Sequence, residues 1–240
     1  MQANNSDTII TVIYSVILGG AILFIVFWSL ISQSRSRKTR SKKLMLLATH
    51  NGLQFDYTFT FPFLKELAKY TGKTEQNILG FDIINPLTAT SSNVIRGVMN
   101  DRNFAVFDQN YQSGTYKNKS RISQTFFAVE ILDLNLPFFC LEPDSSSGFL
   151  EWKVERFDIN FPTHPNFSHN HLLYGQNEYQ IRSLFTPSVL NFYEQKPVFT
   201  TIAGGKHLVI YQHGQTCLPE QVLGQLQFLY SLIDIFKYRR

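Results

Sequence analysis

Asn93–Asn110, NVIRGVMNDRNFAVFDQN, decides how the chain is read. Apolar and polar residues alternate on both sides of Asn100-Asp101, a pair that tolerates the left-handed backbone of a tight turn. The stretch predicts two strands folded back on each other. Downstream, Arg121–Ile131 (RISQTFFAVEI) is rich in aromatic and β-branched residues and predicts a third strand. The intervening YQSGTYKNKS reads as a polar turn, and Leu136–Leu141 as a further short strand. Upstream, Leu44, Leu47 and Ala48 fall at helical spacing, and Gly52 stands where a helix cap belongs. Leu53–Tyr57 is a strand candidate. Pro62 opens a short helix with Phe63, Leu64, Leu67 and Ala68 on its apolar face.

The second half carries firmer punctuation. Arg156–Phe161 (RFDINF) predicts a strand. Asn177 starts a helix, with Gln180 in the capping-box position. Thr186-Pro187 restarts it. Val198–Ile202, Gly204-Gly205 and His207–Tyr211 read as a hairpin with a two-glycine turn. Pro219 opens a last helix whose Val222, Leu223, Leu226, Leu229, Ile233 and Phe236 repeat at three- and four-residue steps. Strands in runs with helices between them, lacking βαβ alternation, predict an α+β fold with a mainly antiparallel sheet packed with helices. The 22 Phe supply its core.

Ile9–Ile31 is an apolar run without a charged side chain. At about 1.5 Å per residue it is long enough for a bilayer core of ~30 Å, so one N-terminal transmembrane helix is expected before the sheet domain. A cleaved signal peptide fits less well. Its cations would precede the apolar run, and here they follow it. Arg35, Arg37, Lys38, Arg40, Lys42 and Lys43 form that cluster and act as the topology signal. They place the large domain in the cytoplasm and the N-terminus outside the cell membrane. The expected organisation is therefore 1–8 outside, 9–31 membrane, 32–43 a basic stalk and 44–240 an α+β domain. The EPDSSSG stretch marks off candidate halves 44–141 and 149–240.

Charge and cysteine exclude several functions. The formal charge of +4 is carried by the stalk, which leaves the remainder close to neutral. A basic stripe on the folded part, the footprint of nucleic-acid binding, is absent. Two cysteines make no disulfide scaffold; Cys140 reads as a buried thiol in a reducing compartment. Cys217, just before a helix and near His213, makes a bare nucleophile pair. His164, His169 and His171 are candidate metal ligands, and in an extended segment the last two would point the same way. No Cys pair or Glu-x-x-His helix accompanies them. A turn with ordinary histidines is the simpler reading, and no cofactor is expected. Gly114–Ser120 ends in Lys-Ser like a phosphate loop but lacks the Gly before the Lys, which favours a hairpin.

Residues 157–194 carry Phe157, Asp158 and Phe161, then His164, Pro165, Phe167 and Ser168. Leu172, Leu173, Gly175, Arg182, Leu184, Phe185, Thr186 and Pro187 follow. The segment resembles one that recurs in uncharacterised bacterial proteins anchored in the membrane. The resemblance implies the architecture and no activity. The expected function is a membrane-tethered cytoplasmic binding or scaffold domain. Its partners would be the lipid bilayer and a protein or a second copy of itself. The alternative is a membrane-anchored hydrolase built on His164, His169 and His171.

Overall fold

The computed structural model describes residues 36–70, 91–115, 118–144, 158–195 and 199–237, with the side chains of 68–70 and 112–120 left aside. Contacts divide the chain into two units, one ending at Lys43 and one beginning at Leu44. Of the first unit, 36–43 is helical, with Arg37, Lys38, Lys42 and Lys43 exposed and Ser41 Oγ donating to the Arg37 carbonyl at 3.1 Å.

The second unit is built on one eight-stranded sheet in the order β1-β2-β3-β4-β8-β7-β5-β6. The strands are β1 (Gln54–Phe59), β2 (Ser91–Met99), β3 (Arg102–Thr115), β4 (Asn118–Glu130), β5 (Leu136–Pro143), β6 (His171–Gly175), β7 (Thr200–Gly205) and β8 (His207–Tyr211). Every pairing is antiparallel. The helices are α1 (44–50 in this unit), α2 (Pro62–Tyr70), α3 (Pro165–Asn170), α4 (Glu178–Leu184), α5 (Pro187–Gln195) and α6 (Val222–Lys237).

Alternation along the strands sorts the core into two layers. Phe104, Val106, Phe127, Val129, Leu208 and Ile210 face a large cluster shared with α1, α3, α4, α5 and α6. Ala105, Phe107, Phe126, Ala128, Val209 and Tyr211 face the opposite way, toward Phe61, Leu64 and Leu67 at α2. Burying each Phe or Leu contributes about 1.5–3 kcal/mol, so the first layer carries most of the stabilisation.

The local chemistry explains the boundaries. Gly52, at φ 65°, ends α1 with Gly52 N–H on Thr49 O and Leu53 N–H on Ala48 O, the paired bonds of a left-handed cap. Asn100 and Asp101 both have positive φ (50° and 57°), as the β2–β3 turn requires. Asn177 Oδ1 accepts from Gln180 N at 3.1 Å and caps α4.

Several expectations are corrected. The expected fold of a transmembrane helix followed by a sheet domain gives way to an antiparallel eight-stranded sheet with helices. No helix among the described residues is long and apolar enough to cross a membrane. The reason is visible in the longest ones. The helical residues 36–43 are all polar or cationic, and α6 has 16 residues, short of the ~20 a bilayer needs. The run 9–31 lies outside the described residues.

The strand expected at 156–161 is not formed over its described part, 158–161. One backbone bond does reach β6, from Ile159 N–H to the Leu173 carbonyl at 2.7 Å, and side chains make the neighbouring contacts. Asp158 Oδ1 accepts from Leu173 N at 2.9 Å, and Ser168 Oγ accepts from Phe161 N at 2.8 Å. The polar stretch 111–120 is mostly ladder rather than turn, with Thr115 paired to Asn118. His171–Gly175 is a strand that the sequence reading passed over. In the β7–β8 hairpin only Gly205 has positive φ. Gly204 stays in the ladder opposite His207, and there the Phe138 ring lies 2.1 Å from where a Cβ would stand.

Candidate functional site

The α2 layer of the sheet ends in a groove. Pro62 sits in the first turn of α2, where its missing N–H breaks no bond. The turn lays Phe61 on Phe107 at 4.8 Å and leaves Phe63 half-buried at the sheet end. Beneath them Ala105 pairs with Ala128 across β3 and β4. Two methyl side chains sit where the next positions, Phe107 and Phe126, fill the layer with rings 5.4 Å apart. The space above the alanines forms a groove of about 480 Å³, with Phe61, Phe63, Val98, Arg96, Glu130 and His207 among its walls. Val98 is 64% exposed and forms an open apolar lip.

The polar walls are organised in pairs. Arg96 reaches Asp56 Oδ2 through Nε at 3.1 Å and a terminal nitrogen at 2.7 Å, and its guanidinium lies 3.9 Å over the Phe59 ring. Glu130 and His207 are cross-strand partners on β4 and β8. Asn103 Nδ2 donates to Glu130 Oε2 at 2.9 Å. The His207 ring stacks on Phe63, with centroids 4.3 Å apart and planes 4° from parallel. Burial pushes the His207 imidazole below its usual value; Glu130 opposes this shift and Lys206 reinforces it. The imidazole is therefore neutral at pH 7.

Such a site can bind. It is concave, apolar at its base and polar at its rim, within the ~300–1,000 Å³ typical of ligand sites. None of its wall residues is a Ser, Thr, Cys or Lys that could act as a nucleophile.

The three histidines expected as a cluster are not brought together. His164 precedes α3 with its Nδ1 3.0 Å from Thr163 Oγ1, and His169 is exposed in the last turn of α3. His171 opens β6 at 2% exposure, stacked on Phe167 at 4.9 Å with its Nδ1 3.0 Å from the Phe167 carbonyl. Since a carbonyl only accepts, Nδ1 carries the proton. Burial lowers the pKa of His171, against the opposing pull of the Phe167 carbonyl and Glu194. Among the described residues no three His, Cys, Asp or Glu side chains are placed to hold a metal.

Cys140 is buried in the α2 layer. Cys217 is held by its backbone, its N–H donating to Thr125 Oγ1 at 2.9 Å. That hydroxyl donates in turn to Asp108 Oδ1 at 2.7 Å, while Asn93 Nδ2 donates to Oδ2 at 2.9 Å. This buried network ties the 212–217 loop to β3 and β4. Gly114 and Lys119 are ladder partners, so the Lys-Ser pair lies in a strand.

No family model and no curated protein matches the chain. The fold is similar to one that has been solved: the crystal structure of the mycobacterial trehalose monomycolate transport factor A, TtfA. The match has a TM-score of 0.53 at 11% identity and covers 81% of this chain and 93% of that one. At that identity the likeness concerns the fold alone.

The polar residues of the groove are not those that stand out along the sequence. Arg96, Asn103 and Glu130 carry no motif, and His207 is legible only as the start of a hairpin strand. The available signal was the pair of alanines in the Phe-rich strands NFAVF and TFFAV. Once the β3–β4 register is known, they face each other and open the groove.

Proposed function

We propose that this chain is a non-enzymatic binding module that works at the cytoplasmic face of a membrane and holds its ligand or partner in the groove beside α2. The observation that carries the reading is the groove itself: an apolar floor with paired polar walls that hold no Ser, Thr, Cys or Lys. The fold this chain shares at 11% identity is that of a protein named a transport factor, and a carrying role is part of the same proposal. The membrane location rests on sequence. The uncharged run 9–31 precedes six cations at 35–43, and each cation near an anionic leaflet contributes about 1 kcal/mol of attraction. The resemblance of 157–194 to membrane-anchored bacterial proteins belongs to the same proposal, as does a protein partner or a second copy of the chain.

The test is fractionation and capture with the full chain. The protein should sediment with membranes at low salt, and protease added to intact cells should leave 44–240 whole. Crosslinking from position 98 should capture a reproducible lipid or protein. Recovery of the chain in the soluble fraction, or digestion of 44–240 from outside, would sink the location. A hydrolytic activity lost on His169→Ala and retained on Val98→Asp would sink the non-enzymatic reading.

A further inference from the structure

Resting on the reading of the groove as a binding site, we propose that it takes a single-chain amphiphile whose head is uncharged and donates hydrogen bonds, and that it turns away charged heads of either sign. The argument is charge balance. Arg96 is matched by Asp56 in a two-nitrogen contact. Across the groove Glu130 faces His207, and Lys206 is close enough to act on that imidazole. The charged groups that line the groove are thus one of each sign, Arg96 and Glu130, with Asp56 bonded to the first and Lys206 acting on the histidine beside the second. An anionic head entering beside Glu130, or a cationic head entering beside Arg96, meets a like charge in a partly desolvated setting.

Hydrogen bonding narrows the head further. The Glu130 carboxylate, the Asn103 and Gln54 amide oxygens and the unprotonated nitrogen of His207 all accept. Such an array suits hydroxyl groups, which bring donors without charge. Phe61, Phe63, Val98, Ala105 and Ala128 offer a continuous apolar surface for an alkyl chain. The open lip at Val98 lets the chain enter from the side.

The experiment uses the full chain and three probes that share one alkyl tail: octyl glucoside, octanoate and octylammonium, each below the concentration at which it forms micelles. Binding is read from NMR shifts of the Val98 methyls and the His207 ring. The glucoside should bind at least about tenfold tighter than either ion, a difference of about 1.4 kcal/mol. Val98→Asp, an exposed and structurally tolerant change, should abolish glucoside binding with the spectrum otherwise retained. Glu130→Gln should bring octanoate toward the glucoside. Octanoate or octylammonium binding as tightly as the glucoside at these positions overturns the inference about the head and leaves the groove a binding site. Shifts from no probe at Val98 or His207 overturn both.

Discussion

The two faces of the sheet share every strand and differ in how they are closed. One face lies under α1, α3, α4, α5 and α6, and its rings interlock. Phe185 has the rings of Phe139, Phe161, Phe167, Tyr193 and Phe236 within 5.1–6.2 Å. The other face meets α2, and at its end two alanines stand in place of large residues. Close packing leaves no room for a ligand, and a shallow, half-polar end does. The packed core and the candidate groove thus lie on opposite sides of the same backbone.

The largest effect should come from the packed face. Phe185→Ala removes a ring at 2% exposure from among five others. A loss of about 3–5 kcal/mol is expected from urea unfolding. A loss under about 1 kcal/mol would mean that the helical layer is looser than it looks. Gly204→Ala comes next, because the new methyl would collide with the Phe138 ring. Overpacking of this kind costs about 1–3 kcal/mol, and a double variant with Phe138→Ala should recover part of it.

Each face also holds a partly desolvated histidine, buried at 171 and half-buried at 207, so acid should weaken both. His171 and His207 have pKa values lowered from 6.5, mainly by burial. The unfolded chain therefore takes up protons first as pH falls. The stability that these neutral rings contribute is complete above about 6.5 and is lost as pH drops through their folded values. Each contributes a slope of at most ~1.4 kcal/mol per pH unit. His171→Phe should flatten this limb in unfolding midpoints measured from pH 7.5 down to 4.5. An unchanged limb would assign it to His207 or to carboxylates.

Phe63→Ala sharpens the comparison at the groove. Phe63 is half-buried, and losing it should cost about 1 kcal/mol or less. Its larger consequence is electrostatic. Without the stacked ring, water reaches His207, and its pKa should rise toward 6.5 in an NMR titration. A still lower value would show that the strands, rather than Phe63, desolvate the imidazole.

How far the sequence could be read differs between the two faces for the same reason. The packed face announces itself through period: Val222, Leu226, Leu229, Ile233 and Phe236 repeat along α6, and all are buried. Caps at Gly52 and Asn177 and the turn at Asn100-Asp101 depend on local backbone chemistry and stand where they were expected. The groove depends on register. Arg96, Glu130 and His207 come from three strands far apart in sequence, and only pairing brings them to one wall. The histidines at 164, 169 and 171 are close in sequence, but among the described residues no three such side chains are placed to hold a metal. Pro165 starts a helix there, and its last turn separates His169 from His171.

The smallest effect belongs to the exposed edge of the packed face. Glu178 and Arg182 form an i,i+4 pair at 2.7 Å on α4, and both are well exposed. Water screens such a pair, so Glu178→Gln should cost only about 0.3–0.5 kcal/mol. Arg182 has other anchors, since its Nη1 donates to the Asn160 carbonyl at 2.7 Å and its guanidinium lies 5.3 Å over the Phe161 ring. Arg182→Ala should therefore cost more than Glu178→Gln, by roughly the value of one hydrogen bond to a charged group, about 1.5 kcal/mol or more. A double-mutant cycle separates the two contributions. A coupling above about 1 kcal/mol would mean that the pair, rather than the bond to Asn160, holds the 158–161 segment against α4.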